Sequence, residues 1–348
     1  MTRFTAPTKS LTFILILALS VAIRAEELPE VSITNVRRIT NDANHNAFTD
    51  LIWFRGHIYL TYRSCPDGHS VFDTSSIVVK RSADGTEWET VNNFSVSGRD
   101  VRDPHLVVFK DKLYLYTGTW YCGPHKPKVR NMNQMLGYGT STLDGKTWSE
   151  PFALEGTYGN YVWKAHSWDG RVYICARRRT EYQEVTDYAE HTPIVQSRLL
   201  TSTDGKRFVD YLTVQTEYGD EFDFIQDKDG GITFLARQGG KRNALLLTAN
   251  SRRNKVSSQP LDRYLGGPLL FDFMQWRLVA GRNINGGQPR LVVSVLAEGK
   301  LHDLVTLPSG GDCSYPGMVA LCPGCILVSW YSSHEGSTEI YTAKLHFN

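Results

Sequence analysis

The chain of 348 residues is poor in cysteine, with six, and in methionine, with five. A fold of this size with so few cysteines does not rest on a dense disulfide framework. Net charge is nearly absent: 38 Lys and Arg stand against 36 Asp and Glu, a formal +2. That balance argues against a polyelectrolyte binder, and no nucleic-acid partner is expected. Beyond the first 25 residues no apolar run is long enough to span a bilayer. Linkers rich in Pro, Ser or Gly, low-complexity tracts and amphipathic helices of ordinary length are also missing. With 41% hydrophobic and 21% charged residues, wholesale disorder is excluded. What the chain does hold is 29 Gly, 17 Tyr and 8 Trp. Such a stock suits a β-rich fold that meets flat ligands such as sugars.

The N-terminus qualifies the charge. Arg3 and Lys9 precede the apolar run Leu11 to Leu19, and Ser20, Ala22 and Ala25 follow. This is the layout of a secretory signal peptide. The run is too short for a comfortable transmembrane span. Residues 1–25 are expected to be removed, leaving residues 26–348 as a single domain, secreted or periplasmic and without a membrane partner. Loss of Arg3, Lys9 and Arg24 leaves 35 basic against 36 acidic residues, a formal −1. Export makes Cys65, Cys122, Cys175, Cys313, Cys322 and Cys325 disulfide candidates. Cys322-Pro-Gly-Cys325 has metal-knuckle spacing, but no second such pair accompanies it. A tight-turn disulfide or two free thiols remain as its readings.

A repeat sets the architecture. Ser82-Ala-Asp-Gly-Thr-Glu-Trp88, Ser141-Thr-Leu-Asp-Gly-Lys-Thr-Trp148 and Ser202-Thr-Asp-Gly-Lys-Arg-Phe208 share an Asp-Gly turn with an aromatic three residues later. Their glycines, at 85, 145 and 205, are 60 residues apart. Glycine accepts positive φ, and Asp and Ser or Thr side chains bond nearby amides, so these are outer hairpin turns without chemistry. Between them run aromatic-rich hairpins, beginning near Asp50, Asp103, Lys164, Glu221, Gly267 and Tyr315. Six hairpins predict an all-β, six-bladed β-propeller. Three blades lack the turn motif, which leaves five or seven as neighbouring counts. The strands Val31–Ile39 and Glu339–Phe347 are expected to complete one blade from both termini.

In a propeller the inner strands begin at one mouth, and here those starts are polar. They bring His45 and Asp50, Arg102 and Asp103, His166, Glu221, and the loop holding Asp312 and Tyr315. Several second strands end in arginine, at Arg63, Arg177, Arg237 and Arg282, which antiparallel pairing places beside the same mouth. His334 and Glu335 follow the last such strand. Paired carboxylates can protonate a leaving oxygen and activate a nucleophile. Arginines can clamp an anionic sugar group. Asp50 and Asp103 also suit turns, and each arginine alone suits an ion-paired strand end. No HxH, HExxH or His-carboxylate spacing indicates a metal site, and no cofactor is expected.

SADGTEW, STLDGKTW and STDGKRF resemble the Asp-boxes, or bacterial neuraminidase repeats, of the sialidase superfamily. HNAFTDLIWFRGHIYLTYR, RDPHLVVFKDKLYLYTG, LPSGGDCSYPGM and WYSSHEGSTEIYTAKL resemble bacterial exported sialidase-like proteins, across nearly all of the mature chain. That resemblance implies a six-bladed propeller and an exo-acting glycosidase with an arginine triad, a Tyr–Glu nucleophile pair and an Asp acid/base. Tyr315 is the nucleophile it implies. The Phe-Arg-Ile-Pro signature is absent, with Asn35-Val-Arg-Arg-Ile-Thr40 a faint echo, and the triad is not matched residue by residue. Arg102-Asp103-Pro104 also resembles five-bladed glycosidases acting on furanosides, a scheme that Asp50, Asp103 and Glu221 fit. The expected function is an exported exo-glycosidase acting on a terminal, acidic or heavily hydroxylated sugar of a glycan or polysaccharide. Asp50, Asp103 and Glu221 are the expected acid/base group. Arg63, Arg102, Arg177, Arg237 and Arg282 are the expected sugar binders, with His45, His166, Asp312, His334 and Glu335 beside them. Two other readings are a non-catalytic glycan-binding propeller and a propeller lyase acting on uronic acids.

Overall fold

The computed structural model describes residues 28–123, 131–185, 192–285 and 287–348. The expected signal peptide lies outside them. Twenty-four strands, β1 to β24 in chain order, form six four-stranded antiparallel sheets among the described residues. The protein is a six-bladed β-propeller. Each blade starts at the channel and steps outward. The inner strands are β2 (His45–Phe54), β6 (Arg99–Phe109), β10 (Tyr161–Trp168), β14 (Gly219–Gln226), β18 (Gly266–Phe273) and β22 (Cys313–Cys322). No helix of the described residues is long and apolar enough to cross a membrane.

The ring is closed by the two ends of the chain. β22 is followed outward by β23 (Cys325–Ser332) and β24 (Glu339–Phe347), and then by β1 (Val31–Arg38). Val31 pairs with Phe347 and Arg38 with Tyr341. Arg38 also donates to Glu339 at 2.7 Å, and Glu339 accepts Thr40 Oγ1 at 2.5 Å. The shared blade satisfies a strand edge that would otherwise stay open.

The Asp-Gly turns join the third strand of a blade to its fourth, far from the channel. In each, the Asp carboxylate accepts amides one turn ahead, as Asp144 Oδ1 does from Lys146 and Thr147 at 2.8 and 2.7 Å. The glycine faces the preceding blade. Gly145 has φ of 77° and lies against the Tyr59 hydroxyl, which donates to its carbonyl at 3.3 Å. Gly205 receives Tyr116 in the same way at 2.9 Å. The turns therefore lock blade to blade, and a Cβ at Gly145 would overlap the tyrosine. The cysteines are free thiols, with Cys322 opposite Cys325 across the Pro-Gly turn.

One irregularity recurs in all six blades. Every inner strand breaks register near its start: Ala47/Asp50, Arg102/His105, Trp163/Ala165, Gly219/Phe222, Gly266/Leu269 and Ser314/Gly317. Such bulges re-aim a side chain out of the pleat. Positive φ marks five of them, at Phe48, Asp103, Lys164, Gly267 and Tyr315. Glu221 sits in the sixth.

Candidate active site

The bulges deliver Asp103, Glu221 and Tyr315 to one cavity of about 240 Å³ at the mouth. Arg102, Arg177, Arg237, Arg282 and Asp312 line it too, with Phe48, Trp120, Tyr161 and Tyr331 as aromatic walls. Glu221 is buried and accepts from the Tyr315 hydroxyl through Oε1. Its Oε2 accepts Arg237 Nη1 at 3.0 Å and the Gly267 amide at 3.2 Å. Gly267 is a close fit: a Cβ there would stand 2.9 Å from the Tyr315 ring. The tyrosine and glutamate come from blades six and four, 94 residues apart.

Asp103 is also buried, and its Oδ2 accepts from the Tyr161 hydroxyl. Its Oδ1 is buried with no hydrogen-bond partner among the described residues. The environment splits the two carboxyls. Burial, and then the charge of Glu221, pushes Asp103 up to about 6. Burial would raise Glu221 as well, but the Arg237 and Arg177 guanidiniums outweigh it and hold Glu221 well below the usual carboxylate range. Asp103 thus keeps its proton up to about pH 6, well above the ordinary carboxylate range, while its neighbour Glu221 is ionised. That separation is how paired carboxyls divide acid and base roles. Burial, and then the Glu221 charge, raises the Tyr315 phenol far above its ordinary value. The phenol therefore holds its proton, which lies in the hydrogen bond to Glu221 Oε1.

The arginines form an arc. Arg177 pairs with Asp220 and lies over the Tyr161 and Trp163 rings at 5.2 and 5.4 Å. Arg237 bridges Asp220 at 3.1 Å and Glu221 at 3.0 Å. Arg282 donates to the Cys313 carbonyl at 3.2 Å and stands 3.8 Å from Asp312. Arg102 is held by Asp100 at 2.6 Å and by the Ser70 carbonyl at 2.8 Å. A composite of fixed cations in a low-dielectric pit favours an anionic group.

Other expected residues are elsewhere. Asp50 lines the far part of the channel with the later residues of the inner strands. It bonds Lys164 at 3.3 Å and accepts the Leu106 amide of the next blade at 2.9 Å. Burial alone would raise Asp50, yet Lys164 and His105 keep it strongly lowered. Asp223 does the same for blades four and five, accepting the Leu270 amide at 2.9 Å and holding His166 at 2.8 Å. Arg63 is fully buried, bonded to Asp100 at 2.8 and 3.0 Å and to the Gly68 and Ser70 carbonyls. His334 bonds Ser332 at 2.9 Å and Glu335 accepts Tyr341 at 2.9 Å, both outside the cavity lining. His45 reaches Asp312 at 3.0 Å, beside His69. Asp220, Tyr161 and His69 were not singled out from the sequence. Only Asp220, next to Glu221 at a strand start, carried a signal that could have found it.

No family model matches the chain, and no curated protein matches it in sequence. Solved structures do match in fold. A protein of unknown function from Dyadobacter fermentans aligns with a TM-score of 0.77 at 18% identity, over 92% of this chain and 100% of its own. A Hadza microbial sialidase aligns at 0.68 and 13% identity, over 86% of this chain and 65% of its own. Trypanosoma rangeli sialidase in complex with sialic acid aligns at 0.63 and 11%, over 91% of this chain and 59% of its own. The chain thus spans 65% and 59% of those two sialidases. What is shared at these identities is the sialidase-like six-bladed propeller.

Proposed function

We propose that the protein is a retaining exo-glycosidase for a terminal sugar that carries an anionic group. The observation that carries this reading is the Tyr315–Glu221 hydrogen bond in the same cavity as Asp103, a buried carboxyl with one oxygen unpartnered among the described residues. Tyrosine nucleophiles are an established exception to the two-carboxylate scheme. Tyr315 Oη attacks the anomeric carbon while its proton passes to Glu221. The bond to the leaving oxygen breaks as Asp103 donates its proton to that oxygen. Water then attacks the same carbon, Asp103 takes the water proton, and Glu221 returns its proton to the departing Tyr315. Glu221 is in this scheme the base of the nucleophile. Arg177, Arg237 and Arg282 bind the anionic group. The cavity is smaller than the about 300–1,000 Å³ of pockets for drug-sized ligands, which suits one terminal sugar and exo action.

The test is covalent trapping with 2,3-difluorosialic acid, followed by peptide mass spectrometry. The expected label is on Tyr315, absent in Tyr315→Phe. Label on Asp103 or Glu221, or full turnover of sialosides by Tyr315→Phe, would overturn the scheme. Saturable sialoside binding with neither label nor turnover would select the glycan-binding reading instead.

A further inference from the structure

His45 at the start of β2, His69 in the loop after β3 (His57–Cys65) and Asp312 before β22 converge at the rim of the cavity. Their contacting atoms form a small triangle. His45 Nε2 is 3.0 Å from Asp312 Oδ2, His69 Nδ1 is 2.7 Å from the same oxygen, and the two nitrogens are 3.2 Å apart. Protons alone cannot satisfy all three edges. Each ring nitrogen carries at most one hydrogen, so two protons must serve three contacts. If both donate to Asp312, two N–H groups face each other. If one donates to the other histidine, a lone pair faces the carboxylate. A single cation above the triangle satisfies all three atoms at once.

We infer that His45, His69 and Asp312 form a three-ligand site for a divalent transition-metal ion such as Zn²⁺. Tetrahedral ligands on bonds of about 2.1 Å lie about 3.4 Å apart; the three edges, at 3.0, 2.7 and 3.2 Å, are each somewhat shorter, so the side chains spread slightly when the ion enters. Two imidazoles and one carboxylate are a donor set for Zn²⁺ and its neighbours rather than for Ca²⁺ or Mg²⁺. The remaining carboxylate oxygen is already fixed: Tyr331 donates to Asp312 Oδ1 at 2.9 Å. This is the kind of outer contact that orients a ligating carboxylate. Ligation through Nε2 puts the His45 proton on Nδ1, which has no partner among the described residues, so the outer support of this site comes from Tyr331 alone. His69 and Asp312 line the cavity, which leaves open coordination positions facing its occupant. The Arg282 guanidinium, 3.8 Å from Asp312 Oδ1, opposes the cation and moderates its affinity.

The experiment is titration of the chelator-treated whole protein with Zn²⁺ by calorimetry, and with Co²⁺ by absorption spectroscopy. One ion per chain and visible Co²⁺ bands without thiolate charge transfer are expected. Tyr331→Phe should weaken binding by about 10–100-fold, and His69→Ala by more. The His69 side chain is half exposed, so its variant should melt like the metal-free parent. Cys322→Ser should bind as the parent does. No saturable binding, unchanged binding in His69→Ala, or a thiolate band lost in Cys322→Ser would overturn the assignment. Because the readout is the metal itself, its failure leaves the glycosidase scheme untouched, and the reverse holds.

Discussion

Removing the Tyr161 hydroxyl should move the pH dependence of catalysis, and the structure sets the direction. Tyr161 is buried and donates to Asp103 Oδ2. That bond favours the ionised carboxylate, against burial and the Glu221 charge, which favour the acid. Tyr161→Phe removes the only one of these three influences that lowers Asp103. A hydrogen bond to a charged group contributes about 1.5–3 kcal/mol, and one to a neutral group about 0.5–1.5 kcal/mol. The difference, about 1–1.5 kcal/mol, corresponds to about one pKa unit at 1.36 kcal/mol per unit. In the proposed scheme Asp103 must be protonated for the first step, so activity should be lost as pH rises through its value. The basic limb of kcat/KM should therefore move from near pH 6 in the parent to about one unit higher in Tyr161→Phe. The assay is kcat/KM against pH on two sialosides, one with an alkyl and one with an activated aryl leaving group. The alkyl glycoside needs the proton and should show the whole shift, while the aryl glycoside should show little of it. A limb that stays in place, or moves to lower pH, with the near-ultraviolet circular dichroism unchanged, would refute Asp103 as the acid.

Two further perturbations separate scaffold from site. Gly145→Ala places a Cβ into the Tyr59 hydroxyl at positive φ, and should cost about 1–3 kcal/mol; denaturant melts should show it, with kcat/KM of the folded fraction unchanged. Asp50→Asn strands the buried Lys164 charge, and should cost about 3–5 kcal/mol, again without loss of kcat. The sign of its pH dependence follows from the lowered Asp50: in the parent the pair contributes fully above the ordinary carboxylate range and is lost only in strong acid, whereas the variant should lack that acid-side loss in thermal melts.

The fold was legible because it is periodic. Asp-Gly turns and hairpins recur, and each inner strand announces itself by a polar start and an apolar body. The terminal strands were legible as partners because each was one strand of an unfinished blade. The mouth was partly legible for the same reason: antiparallel pairing sets Arg177 opposite Tyr161 and Arg282 opposite Gly266. Arg63 follows the same rule, opposite Ala47, yet its guanidinium is drawn away by Asp100, a residue of the next blade. Which carboxylate serves which partner depends on contacts between blades, and those have no spacing in the chain. Glu221 meets Tyr315 across two blades, and Asp50 faces a lysine that is also at a bulge. The His45–His69–Asp312 cluster escaped motif reading for the same cause, since its members stand 24 and 243 residues apart in sequence.

The blade shared by the two ends also governs the order of assembly. Blades one to five consist of consecutive strands, and each can form as soon as its own four have been synthesised. Blade six cannot, because β1 must wait for β24, the last strand of the chain. The Arg38–Glu339 contact spans 301 residues. Until β24 has been synthesised, the emerging protein is an open arc with two unpaired faces, and such non-local pairing is slow and exposed to aggregation. Closure is then the final event, and it completes the mouth as well, since Tyr315 and Asp312 arrive only with blade six.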